Sequence, residues 1–186
     1  MNTSQQQLKI VFTGPMGAGK TTAIRAISDA APVSTEVGNS DQATFAKEST
    51  TIALDYGELT LEDGNCVRLY GTPGQARFSF MWEIIGRGAL GVILLIDGSS
   101  DHAHQDLKAF VEAFQRNTPD QPFVIGVGRL KSNSDLERYF SLLESVELIA
   151  PVFAVDVRQR DDVLLLIETL LCILEMRVTE IEHAAS

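Results

Sequence analysis

The sequence predicts an α/β fold: a six-stranded, mostly parallel sheet with one antiparallel hairpin and helices on both faces. Three observations predict it. Apolar, strand-like runs alternate with helix-like runs along nearly the whole chain. Two of the strands are joined by Glu62-Asp63-Gly64-Asn65, and Asp-Gly is a strong hairpin turn signal. The first strand runs into a glycine-rich turn that opens a helix, Gly14-Pro15-Met16-Gly17-Ala18-Gly19-Lys20-Thr21.

Each element follows from a local signal. Leu8 to Thr13 (LKIVFT) reads as a buried strand, and Lys20 to Ala30 as a helix. Pro32 to Ser49 is polar without a clear period and reads as a loop. Thr50 to Leu59 and Cys66 to Tyr70 read as the antiparallel neighbours flanking the Asp-Gly turn. Ala76 to Arg87 fits a helix, and Leu90 to Ile96 is an apolar strand ending at Asp97. His104 to Arg116 fits a helix, Phe123 to Val127 a strand, Ser134 to Ser145 a helix and Val152 to Val155 a short strand. Asp161 to Arg177 is the last helix, with Asp161 and Asp162 at its positive end.

The chain has 186 residues, enough for one domain with one sizeable core, and residues 1–7 and 178–186 read as flexible tails. A net charge of -10 argues against nucleic acid and against an anionic membrane surface as partners. Neither an N-terminal leader nor a lipidation box is evident, and the apolar run from Ala89 to Ile96 is far short of a membrane span, so a soluble cytoplasmic protein without a membrane anchor is expected. Cys66 and Cys172 lie in apolar runs without metal-ligand spacing and are expected to be buried thiols.

Residues Gly14 to Thr21 match G-x-x-x-x-G-K-[ST]. In this P-loop pattern, expected of a P-loop NTPase, glycines let the backbone from Gly14 through Pro15, Met16, Gly17, Ala18 and Gly19 to Thr22 curl around phosphate oxygens, with every N–H but that of Pro15, which has none, able to donate. The helix opening at Lys20 aims its positive end at the same place. Lys20 is expected to bridge the β- and γ-phosphates of a purine nucleoside triphosphate, and the Thr21 hydroxyl to hold Mg2+. Gly71-Thr72-Pro73-Gly74-Gln75 then follows a strand, with Gly74 suited to bring a backbone N–H to the γ-phosphate and Gln75 to orient the attacking water.

With these motifs the sequence resembles the bacterial and archaeal Ras-like small GTPases, related to the MglA polarity switch and similar to the ADP-ribosylation factors. The resemblance is carried by GPMGAGKTT (14–22), TTIALDYG (50–57), GTPGQARFSFMW (71–82), RGALGVILLID (87–97) and VDVRQR (155–160). It covers the chain from Leu8 to about Leu174. It implies GTP and GDP as ligands, hydrolysis of GTP, Thr51 as the threonine that senses the γ-phosphate through magnesium (with Thr50 as fallback), and regulatory protein partners such as a roadblock-type activator. The oligomeric state stays open.

Three departures stand out. Gly71 occupies the place of an Asp that holds a magnesium-bound water in the resembling family. Asp55, four residues past Thr51 on the paired strand, is the candidate replacement, the alternative being an outward-facing polar residue. The base-reading N-K-x-D is degenerate: Gly128, Arg129, Leu130 and Lys131 stand there, and an ammonium cannot accept a hydrogen bond. Arg129 can still stack on a purine, and Asp156 is the candidate acceptor, against the alternative of a capping or salt-bridged carboxylate. No arginine finger is fixed: Arg77 and Lys47 are candidates, and a partner can supply one. Asp97 reads as structural or helix-capping, His102 and His104 as surface residues, and the segment with Phe78, Phe80, Met81 and Trp82 as either core-facing or partner-facing. The apolar stripe of the last helix reads as core, with a partner or dimer surface as the alternative.

A GTP-hydrolysing switch is the leading expectation. A nucleotide-binding interaction module with negligible hydrolysis, and a P-loop ATPase or small-molecule kinase, are the alternatives.

Overall fold

The computed structural model describes residues 8–29, 33–37, 52–74, 88–117, 121–146 and 148–184. Seven strands are found among them: β1 (Leu8–Thr13), β2 (Val33–Val37), β3 (Ile52–Thr60), β4 (Cys66–Gly71), β5 (Gly91–Asp97), β6 (Phe123–Gly128) and β7 (Val152–Ala154). The helices are α1 (Lys20–Ile27), α2 (Ala103–Asn117), α3 (Glu137–Ser145), preceded by a 3-10 turn at Asn133–Leu136, and α4 (Arg160–Ala184).

The strands form one sheet in the order β2-β3-β4-β1-β5-β6-β7. β1 pairs in parallel with β4 and β5, and the parallel run continues through β6 to β7. β3 and β4 are antiparallel, joined through the Asp63-Gly64 turn, with Gly64 at φ 84° as such a turn requires. The fold class is the expected one, with one strand more. β2 lies within the stretch read as loop, where polar Ser34 and Glu36 mask any apolar pattern. It pairs antiparallel along β3 from Val33↔Tyr56 to Val37↔Ile52.

Two cores sandwich the sheet. Val92, Leu94 and Ile96 of β5 face α2 and α3, packing with Leu107, Val111, Phe114 and Leu143. Ile93 and Leu95 face the other way, toward Ile24 of α1 and Val163, Leu166 and Leu170 of α4. A strand buried on both faces needs no alternation, which is why β5 reads as continuously apolar. Each such side chain contributes about 1.5–3 kcal/mol on burial.

Helix ends depart from the sequence reading for identifiable reasons. α1 stops at Ile27 because the next residues bond to β3. The Ser28 hydroxyl donates to the Glu58 carbonyl (3.3 Å) and accepts from the Glu58 N–H (3.2 Å), while Asp29 N–H reaches the same carbonyl at 2.8 Å. The Arg160 guanidinium then donates to the Ile27 carbonyl at 2.9 Å, closing the C-terminus of α1. α4 continues past Arg177 to Ala184, since neither Gly nor Pro interrupts it. The helix expected at Ala76–Arg87, including Phe78, Phe80, Met81 and Trp82, lies outside the described residues.

Both cysteines are exposed, contrary to expectation. Cys66 opens β4, where alternation buries Val67 and Leu69 instead. Cys172 falls between the inward positions of α4, and Leu165 and Met176 are exposed on that helix too. Both thiols are therefore expected to react with a water-soluble disulfide reagent in the folded protein at rates within about tenfold of a free thiol. Slow reaction that speeds up only on denaturation would contradict this exposure. No described helix is long and apolar enough to cross a membrane.

Candidate functional site

The sheet order reverses at β1, which has β4 on one side and β5 on the other. Open α/β sheets gather ligands at the carboxyl ends of the strands beside such a reversal. The glycine turn that follows β1 sits there. Gly14, Gly17 and Gly19 all have positive φ, and a Cβ on Gly14 would fall 2.0 Å from the Leu95 carbonyl oxygen. The turn leads into α1, whose first-turn N–H groups have no partners within the helix and whose first turn carries no acidic side chain.

A cavity of about 350 Å³ opens over this turn, lined among others by Gly17, Gly19, Thr21, Thr22, Thr72 and Pro73. Lys20 is buried there and donates to the Gly14 and Pro15 carbonyls, both at 2.7 Å. Burial pushes its ammonium down to about 8, with Asp55 opposing the shift. The Thr21 hydroxyl donates to Asp55 Oδ2 at 2.5 Å. Asp55 stands directly opposite Gly71 in the β3–β4 ladder, and a Cβ on Gly71 would lie 2.9 Å from Asp55 Cβ and 3.1 Å from its Oδ2. The carboxylate thus occupies the space that Gly71 leaves open.

The segment after β4 folds over the turn. Thr72 N–H donates to the Phe12 carbonyl at 2.9 Å, and its buried hydroxyl pairs with that of Thr13 at 2.8 Å. Gly74 then touches the loop itself: a Cβ there would meet Met16 N at 2.5 Å and Pro15 C at 2.7 Å. Met16 itself is exposed at the loop tip.

A second cavity, of about 610 Å³, lies alongside, lined among others by Ala18, Asp97, Leu130, Asp156, Val157 and Arg158. Thr22 and Arg129 line both cavities. Asp156 is held in a fork by Arg158, whose Nε and NH2 donate to it at 2.8 and 2.6 Å. Those bonds, with a third from the Arg158 backbone, hold its carboxyl down at about 2.

The sequence-predicted residues therefore divide in two. The glycine turn, Lys20, Thr21, Asp55 and Gly74 converge on the smaller cavity, and Arg129 and Asp156 on the larger. Thr51, Gln75, Lys47 and Arg77 lie outside the described residues. His104 stacks on Tyr139, and no cluster of three His, Cys, Asp or Glu side chains forms among the described residues. Sequence reading passed over Arg158 and treated Asp97 as structural. Arg158 sits two residues past Asp156, a spacing that suits a local fork, whereas nothing local announces the Asp97 partner.

No protein-family model matches the chain. It is 30% identical over 102 residues to an uncharacterized protein of Methanocaldococcus jannaschii, across 55% of this chain and 58% of that protein. It is 24% identical over 134 residues to the Ras-related protein RAB1BV of Beta vulgaris, across 70% of this chain and 57% of that protein. It is 29% identical over 116 residues to the Ras-related protein Rab-8A of Gallus gallus, across 60% and 50%. The chain thus spans about half the length of the relatives it matches. These distant similarities support a Ras-like family.

Proposed function

We propose that the protein is a GTP-binding molecular switch that converts GTP and water into GDP and phosphate. The observation that carries the reading is the convergence of a buried Lys20, the Thr21–Asp55 pair and the Gly74 backbone on one cavity at the N-terminus of α1. The neighbouring cavity has room for a nucleoside. Likeness to Ras-related proteins adds to it. The finer assignment, a prokaryotic, MglA-related signalling protein of the cytoplasm with a roadblock-type regulator, is part of the same proposal.

In this reading each residue has a task. The Lys20 ammonium exchanges the Gly14 and Pro15 carbonyls for β- and γ-phosphate oxygens. Thr21 and Asp55 fit a hard divalent cation, since one offers a hydroxyl and the other a carboxylate side by side, and Thr51 would complete the set. Bound Mg2+ would supply charge neutralisation on the phosphates. Gly74 brings its N–H to the γ-phosphate, and Gln75 orients the attacking water. Arg129 and Asp156 would face the base. Turnover without a partner is expected on the order of 10⁻⁴ s⁻¹.

One observation favours a second reading, an adenine-nucleotide hydrolase. Lys131 is exposed and Gly128 has no side chain, so neither offers guanine an acceptor group. Calorimetric titration of nucleotide-stripped protein with GTP, GDP, ATP and ADP, with and without magnesium, decides between them. Tight guanine and weak adenine binding is expected. Equal or adenine-favoured binding would overturn the GTPase reading.

Binding should also depend on pH. Free Lys20 loses its proton as pH rises through about 8. Phosphate contact keeps it charged, so above that pH binding must take up a proton and affinity falls as pH rises. Titrations in buffers of different ionisation enthalpy should show this uptake at pH 9 and little of it at pH 7. Equal uptake at both would contradict the role given to Lys20.

A further inference from the structure

Asp97 ends β5 and lies at the mouth of the larger cavity, its side chain 19% exposed. Both of its oxygens are engaged. Oδ1 accepts from the Ser99 N–H at 3.0 Å and the Ser99 hydroxyl at 2.7 Å, while Oδ2 accepts from the Arg129 guanidinium. Burial works against its charge, but these bonds outweigh it and hold the carboxyl below its ordinary value. The same guanidinium nitrogen donates to the Gly17 carbonyl at 3.2 Å. Asp97, Arg129 and the phosphate-binding loop thus form one chain of contacts, and Arg129 walls both cavities.

Arg129 reaches this position at a cost. Among the described residues it is the one non-glycine residue with positive φ, at 55°. Such a conformation persists where its surroundings over-determine it, and it collects at ligand sites. An exposed ion pair would contribute little to stability. Both bonds come from one guanidinium nitrogen and the side chain is 59% exposed, so the flat group is accessible to a ligand, and a guanidinium face stacks well on an aromatic ring.

We propose that Asp97 is the positioning residue for the nucleoside half of the ligand, fixing the Arg129 guanidinium as a wall against which a purine base stacks. The inference rests on the nucleotide-binding reading above. It predicts a division of labour. The loop and Lys20 hold the phosphates whatever they are attached to, while the Asp97–Arg129 pair acts mainly on the base and touches the loop only through Gly17.

The test compares GTP and ATP with inorganic tripolyphosphate, all with magnesium, on the full chain. Asp97→Asn should weaken binding of the favoured nucleotide about tenfold and leave tripolyphosphate unchanged. Arg129→Ala should weaken the nucleotide at least as much, with a smaller loss on tripolyphosphate because its Gly17 contact goes too, and the double variant should be no weaker than Arg129→Ala alone, because the two act as one unit. Equal losses on both ligands with a lowered melting midpoint would assign Asp97 a purely structural role and overturn the proposal. So would losses on neither ligand, or single losses that add in the double variant. Wild-type protein that holds tripolyphosphate as tightly as any nucleotide would sink the nucleotide reading itself, before any variant is compared.

Discussion

Exchanging Asp55 and Gly71 as a pair, Asp55→Gly with Gly71→Asp, should restore the magnesium affinity that Asp55→Gly alone removes. The two residues face each other across the β3–β4 ladder and so point to the same side of the sheet. A side chain on Gly71 would sit 2.9 Å from Asp55 Cβ, closer than two carbons can approach, so the space holds one carboxylate and not two. Asp55→Gly should weaken magnesium about 10–100-fold in the nucleotide complex, the usual loss when a partner of a metal site is removed. Gly71→Asp alone should lower the melting midpoint, since it adds a clash and a second like charge. The double variant should recover magnesium affinity to within about threefold of wild type, because the carboxylate reappears on the opposite strand in the same space. Calorimetric magnesium titrations read all three. Unchanged magnesium affinity in Asp55→Gly would mean that Asp55 binds no metal and serves only the Thr21 hydroxyl, and a double variant no better than Asp55→Gly would mean that the two positions do not share one metal-facing space.

Gly74→Ala should reduce GTP hydrolysis on the order of 100-fold, the scale of losing one placed backbone donor. The added methyl would lie 2.5 Å from Met16 N and 2.7 Å from Pro15 C, both backbone atoms of the phosphate loop. Neither can move aside without distorting the loop, so the 72–74 segment must lift away and take the Gly74 N–H with it. GDP has no γ-phosphate for that N–H to reach, so its affinity should stay within about threefold. Single-turnover hydrolysis and GDP titration separate the two effects. Equal losses of both would show that Gly74 shapes the loop rather than senses the terminal phosphate.

What the sequence revealed and what it hid follow one rule. The phosphate-binding loop is legible because its chemistry is local: glycines, a lysine and a threonine at fixed spacing, flanked by a strand and a helix. The Asp55–Gly71 relation is half legible, since the hairpin turn pairs the strands and the missing carboxylate prompts a search across them. Their direct opposition, however, depends on register, which only the folded ladder supplies. β2 was hidden because an edge strand is held by backbone bonds and needs no apolar pattern. The end of α1 was hidden because Ser28 and Asp29 bond to Glu58, which lies about thirty residues further on. The Asp97–Arg129 pair was hidden for the same reason, since Arg129 lies just beyond the end of the next strand. The expectation of buried thiols failed because an apolar neighbourhood in sequence does not say which face a residue takes. Cys66 and Cys172 each flank the inward positions rather than occupy them.

The Arg160 contact at the far end of α1 has a kinetic consequence. A helix of eight residues is too short to persist on its own in water. This one borrows its order from the sheet beneath it and from the guanidinium that closes its last carbonyls. In the proposed nucleotide-binding reading the loop would meet its ligand with α1 already formed, and capture would be limited by encounter, not by helix formation. Encounter brings an anion toward a chain of net charge -10, so the association rate should rise with added salt as the repulsion is screened.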